Sequence, residues 1–213
     1  MRKIISQLHT SKDGIVCKDK TGKDHVVFKK QGDLDGACAT YCVIMNLLIL
    51  RQIKDVDTRV YSKSGDMATR KLIKTFMQEY GMHINGQSYY KIKRMLKESF
   101  NKVECVHYNS NGNRSLNYIE RTIVEDQPII ISVSQTKWAH ALLAVGFEKE
   151  KGVISKIFCL DPSGESCCNK RWNIEIEVKN SGLENRQPTI IYNGRYVSLD
   201  DVLIITEKLI RNS

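Results

Sequence analysis

The strongest constraint on this chain is an apolar run of fourteen residues, Ala37 to Leu50, interrupted only by Thr40, Tyr41 and Asn46. A run of this length falls short of the ~20 residues that span a bilayer. A segment apolar on every side that does not cross a membrane must be wrapped by the rest of its own chain, so the run reads as a helix in the centre of a core. With 213 residues, 41% hydrophobic and 27% charged, the chain has enough material to build that wrapping as a single domain. Its boundaries are read as residues 1–30 for an N-terminal hairpin extension, 31–102 for a helical part and 103–213 for a sheet part.

Hydrophobic period supports that division. Gly14 to Lys18 and Asp24 to Phe28, around Asp19-Lys20-Thr21-Gly22-Lys23, read as a small hairpin. Leu72, Ile73, Phe76, Met77 and Tyr80 form one stripe of a helix over 67–80 that Gly81 closes, and Ile92, Met95, Leu96 and Phe100 form the stripe of another over 89–100. A short helix is expected at 117–125. From residue 103 the period changes to that of strands: 103–107, 128–133, 140–147, 153–160, 172–178, 189–192 and 202–206, with turns at Gly152, Ser163-Gly164 and Asn193-Gly194. Helices first and an antiparallel sheet second predict an α+β fold, a helical part with a buried nucleophile helix packed on a C-terminal sheet.

Three chemically capable residues sit at the ends of these elements. Cys38 opens the buried helix after Gln31-Gly32-Asp33-Leu34-Asp35-Gly36-Ala37, where the positive end of the helix dipole favours a thiolate. His140, in Trp138-Ala139-His140-Ala141, begins one strand, and Asp161, in Cys159-Leu160-Asp161-Pro162, ends the next. Neighbouring strands would bring those ends together. A thiol, an imidazole and a carboxylate in that order are the parts of a nucleophilic triad: Cys38 attacks, His140 moves the proton and Asp161 orients the ring. Gln31 is positioned to offer its amide to a developing oxyanion beside the Cys38 N–H.

These segments resemble the papain-like cysteine peptidases, and among them compact bacterial members such as the staphopains and the double-glycine bacteriocin-processing peptidases. The resemblance lies in a Gln-Gly start at Gln31, Gly-x-Cys-Ala at Gly36 to Ala39, His-Ala-x-x-x-Val-Gly at His140 to Gly146, and Asp-Pro at Asp161. It implies a papain-like fold and matches Gln31 to the oxyanion-hole glutamine, Cys38 to the nucleophile, His140 to the base and Asp161 to the orienting residue. Here the glutamine stands one residue further upstream than is usual in that family. The Trp that often follows the nucleophile is absent, and Trp138 precedes the histidine instead.

The expected function is a thiol hydrolase that cuts a peptide bond in a protein or peptide through a thioester. Glutamine deamidation and acyl transfer use the same parts and stay open, as does a non-catalytic basic binding module. Each residue also has a plainer reading: a buried Cys is commonly a small core residue, which is the reading for Cys42, and an Asp before Pro is commonly a turn residue. Zinc is not expected. Cys38, Cys42, Cys159, Cys167 and Cys168 lack ligand spacing, and no cofactor is implied. The net charge of +9 suits an acidic protein partner, but the lysines of 91–97 alternate with the apolar stripe of a helix, so nucleic acid is not the expected partner. Seven cysteines without framework spacing point to reduced thiols, and the N-terminus lacks a Sec signal, so the expected location is cytoplasmic or outside by a route without such a signal. Only 37 residues precede Cys38. Latency by a large pro-domain is therefore not expected, and narrow specificity or a controlling partner is.

Overall fold

A computed structural model describes residues 1–32, 36–58, 66–78, 88–180 and 187–208. Strands are β1 Arg2–Ile4, β2 Leu8–Ser11, β3 Gly14–Lys18, β4 Asp24–Val26, β5 Val103–Tyr108, β6 Ile129–Gln135, β7 Trp138–Glu150, β8 Val153–Leu160, β9 Ile174–Lys179, β10 Thr189–Tyr192 and β11 Arg195–Glu207. Helices are α1 Cys38–Ile49, α2 Met67–Gln78, α3 Tyr89–Ser99 and α4 Gly112–Val124.

The main sheet runs β7-β6-β11-β10-β9-β8 and returns to β7 through β7–β8 pairing, so six antiparallel strands close into a barrel, with β1 added to β7 and β5 to β11. This corrects the expected α+β, papain-like arrangement of a helical part laid on an open sheet. The protein is mostly β, with four α-helices among the described residues. The correction has a physical reason. Local period marks a segment as strand, but closure depends on which distant strands pair, and an open sheet of this size would leave two edges of unpaired N–H and C=O groups that a ring removes.

Two thirteen-residue strands make the closure. β11 pairs with β6 over Ser198 to Leu203 on one edge, and on the other with β10 through Arg195 to Val197 and with β5 through Val202 to Glu207. β7 pairs with β6 over Trp138 to Ala144 and with β1 over Gly146 to Glu148, while its other edge meets β8 from Leu143 onward. Bulges at Ala144/Gly146, Glu148/Lys149 and Leu199/Val202 bend these strands, as a small barrel requires. On the β8 side, β7 has no strand partner among the described residues from Trp138 to Leu142.

The helix α1 lies along β7 and β6. Eleven of its twelve residues, Asn46 among them, are buried, and Tyr41 is half-buried. Its far end is covered by the small sheet β2-β3-β4, where the Cys17 thiol meets the Leu48 carbonyl at 3.5 Å. One continuous apolar cluster contains α1, the barrel strands and the inner faces of the other helices. The stripe of α2 is buried at Leu72, Ile73 and Phe76, and that of α3 at Ile92, Met95 and Leu96, with Lys91, Lys93 and Lys97 in solvent. Tyr80 and Gly81 lie outside the described residues. The short helix expected at 117–125 is longer and begins at Gly112, whose Asn-Gly-Asn start reads locally as a turn.

Gly146 marks the place where β1 crosses β7. A Cβ there would stand 2.8 Å from the Lys3 carbonyl oxygen and 2.9 Å from Ile4 Cγ1. Backbone cannot move aside as a flexible side chain can, so Gly146→Ala should destabilise the protein by about 1–3 kcal/mol. For a chain of this size that is a fall of very roughly 2–12 °C in Tm. Thermal unfolding followed by circular dichroism checks it; an unchanged midpoint would mean that β1 does not dock against β7 in this way.

Candidate active site

Cys38 is the first residue of α1, whose N-cap Ala37 supplies no capping side chain. The first-turn N–H groups are thus left to other acceptors, and the helix dipole places partial positive charge at the sulfur. The open stretch of β7 receives the helix end. The Ala141 N–H donates to Cys38 Sγ at 3.3 Å, next in sequence to His140. Burial alone would raise the Cys38 thiol, but the hydrogen bond and charge of His140, with N–H groups of Ala141 and Ala39, outweigh it and hold the thiol below its ordinary value. Cys42, one turn further on, and Cys159 have no such compensation, and burial pushes both thiols well up.

Antiparallel pairing of β7 with β8 puts the beginning of one beside the end of the other, and there His140 Nε2 lies 2.8 Å from Asp161 Oδ1. With Nε2 on the carboxylate, Nδ1 is the ring atom left for the thiol. Burial disfavours the charged imidazolium, yet hydrogen bonds to Asp161 and Cys38 lift His140 to about 9. Asp161 is only 3% exposed. Burial would raise its carboxyl, and His140, the Tyr192 hydroxyl and the Ser163 N–H together hold it below the usual range.

Asp161 is satisfied from every side. Tyr192 donates its hydroxyl to Oδ2 at 2.6 Å, the Ser163 N–H donates to Oδ1 at 2.8 Å, and Asn173 both accepts from the Asp161 N–H at 2.7 Å and donates to its carbonyl at 2.9 Å. A tight turn follows, with the Gly164 N–H on the Asp161 carbonyl at 3.0 Å. Ser163 Oγ also stands 3.3 Å from His140 Nε2. Tyr192 is buried at the end of β10, and its ring lies 6.0 Å from that of His140.

The structure therefore brings Cys38, His140 and Asp161 together, with the sulfur held by the Ala141 N–H next to His140 and the imidazole held by Asp161. Gln31 is placed beside it by its N–H, which donates to the Pro162 carbonyl at 2.9 Å, and the neighbouring Lys30 pairs with Glu165. These contacts tie Gln31 to the Asp161 turn; residues 33–35, between it and Cys38, lie outside the described set. Residues 59–65 and 79–87 also lie outside it, while the turn after Asp161 carries the Ser163 contacts. Tyr192, Asn173 and Ser163 escaped the sequence reading. The one available signal was Tyr192, a hydroxyl-bearing ring at an inward position of an otherwise apolar strand, which needs a buried partner. Among the described residues no group of three or more His, Cys, Asp or Glu side chains is arranged to hold a metal, and no helix is long and apolar enough to cross a membrane.

No known protein-family model matches the chain, and no curated protein matches it.

His140 has a folded pKa above its unfolded value of ~6.5. Its protonation thus contributes stability that is fully present below ~6.5 and is lost as pH rises through about 9. In Asp161→Asn the charge that favours the imidazolium is gone, and the His140 midpoint, read from its ring-proton NMR signals, should fall by at least about one unit. A midpoint that stayed near about 9 would show that the carboxylate does not hold the proton.

Proposed function

We propose that this protein is a thiol hydrolase that cleaves peptide bonds through a Cys38 thioester, with His140 as general base and acid and Asp161 as the group that orients it. The observation that carries the reading is the combination at Cys38: a sulfur buried enough to be raised, yet held low by an imidazole that is itself anchored 2.8 Å from a buried carboxylate. Structural cysteines in the same core, Cys42 and Cys159, are raised instead. The motif resemblance to papain-like cysteine peptidases supports the same assignment of roles; it concerns the site and not the fold.

In the first half-reaction the Cys38 thiolate adds to the scissile carbonyl, forming a C–S bond and moving the π pair onto oxygen. The first-turn N–H groups of α1 face that charge, with the Gln31 amide as the assigned second donor. As the oxyanion collapses, the C–N bond breaks and the His140 imidazolium gives its proton to the leaving amine, so the amine departs neutral and a thioester remains. In the second half a water attacks the thioester while His140 takes its proton. The carboxylic acid leaves, and the sulfur returns as a thiolate beside an imidazolium. Asp161 keeps one tautomer and ring orientation throughout.

Reactivity at Cys38 tests this. Iodoacetamide labelling near pH 6, resolved by peptide mass spectrometry, should modify Cys38 at least about tenfold faster than the exposed Cys168, because an ordinary thiol of pKa ~8.5 is almost wholly protonated there. His140→Ala should abolish that advantage, since burial then acts on the sulfur unopposed. Equal labelling of Cys38 in both forms, no faster than Cys168, would overturn the triad. Turnover of a peptide substrate should decline as pH rises through about 9, where His140 loses the proton that the leaving amine requires. Ammonia released from a glutamine-containing protein with its backbone intact would replace the peptidase by a deamidase on the same site. A Cys38→Ala form that keeps the full biological effect would point to a binding module.

A further inference from the structure

The surface beyond His140 has a chemical character that the triad does not explain. Side chains two apart on a strand share a face, so Trp138 projects beside His140. The Tyr192 ring lies between them, 6.4 Å from Trp138 and 6.0 Å from His140. The indole is held in place: Trp138 Nε1 donates to Gln135 Oε1 at 2.9 Å, and Gln135 Nε2 donates to the Tyr196 carbonyl at 2.6 Å. This bridge joins the β6–β7 turn to the start of β11. From Trp138 outward there is a depression of about 1160 Å³, larger than the ~300–1,000 Å³ of small-molecule pockets. Its rim carries two exposed cations, Lys137 and Arg195, and an exposed ring, Tyr196, and none of its lining residues is acidic. No ion pair engages either cation among the described residues.

Which part of a substrate lies there follows from the proton transfer. The imidazole must reach the nitrogen that leaves, so the chain carrying that nitrogen departs over His140 and away from Cys38. The depression begins at Trp138, two residues from His140 along β7. Resting on the peptidase reading, we propose that it binds the residues that follow the scissile bond, and that it selects substrates with acidic side chains there. Lys137 and Arg195 are specificity-determining: they face carboxylates, and the Trp138 and Tyr196 rings take the apolar part of the same segment. The cations are exposed, so their attraction acts through a screened field, and the preference weakens as salt rises.

The test uses the full-length protein and a set of peptides identical up to the scissile bond, with Asp or Glu, Ser or Gln, or Lys in the three positions after it. At low ionic strength kcat/KM for acidic members should exceed that of neutral ones by about tenfold and shrink in 0.5 M salt. The double variant Lys137→Glu/Arg195→Glu should lower the acidic-to-neutral ratio at least about tenfold. Lys93→Glu/Lys97→Glu makes the same charge change on the exposed face of α3 and should leave the ratio as it was. Cleavage without acidic preference, or an equal loss of preference in both double variants, would overturn the assignment while leaving the peptidase intact. Failure to cleave any peptide while Cys38 still labels rapidly would overturn the peptidase reading and this one with it.

Discussion

The contact between the Ala141 N–H and the Cys38 sulfur is the point on which the site depends. On the side where β8 would otherwise pair, β7 has no strand partner until Leu143, so this N–H would be left buried and unpaired in the barrel wall. An orphaned buried donor costs about 1–3 kcal/mol. The end of α1 supplies the missing acceptor, and a thiolate is a better one than a thiol. The fold thus favours the ionised sulfur: the bond that completes the wall also lowers the thiol, and it places the sulfur beside the residue that follows His140. A helix end and a strand edge that each lack a partner satisfy one another.

Behind the sulfur, a carboxylate is held in a place where charge is expensive. Asp161 is buried, and a buried ion pair rarely stabilises a fold by itself, because the desolvation of both ions offsets their attraction. What makes the charge tolerable is full satisfaction by Tyr192, Ser163 and His140, with Asn173 bracing the backbone. A network with every member paired becomes rigid, whereas one with a member missing is worse than an apolar core. The rigidity fixes the ring of His140, which is gripped through Nε2 and keeps Nδ1 on its other side. A fully paired polar network thus takes the place of apolar packing around Asp161.

The placement of the candidate residues was more legible than the architecture. A thiol at the mouth of an apolar helix and a His and an Asp at the ends of consecutive strands are local features, and hairpin pairing brings those strand ends together whatever surrounds them. The boundaries of α1 and α3 were similarly local, set by apolar period. The barrel was not. Period alone does not say that β11 reaches past β10 to β5, or that β8 closes on β7, because these pairings are selected by the ring as a whole. β1 was missed for a related reason: three residues, Arg2 to Ile4, become a strand only because β7 offers an edge and Gly146 leaves room. Tyr192 and Asn173 were hidden because a lone polar residue in a strand or turn has no meaning until its partner is known.

Closure of the barrel also explains how a site assembled from distant segments can be exact in geometry. His140, Asp161 and Tyr192 come from β7, the end of β8 and β10, three members of one ring in which no strand can slide without breaking ladders on both sides. Cys38 comes from outside that ring, on a helix buried along its length. Cys38 and His140 therefore stand on a buried helix and a strand of the closed ring. Lys137 and Arg195, exposed at the rim beyond Trp138, stand outside that constraint and can change without disturbing the wall that holds His140.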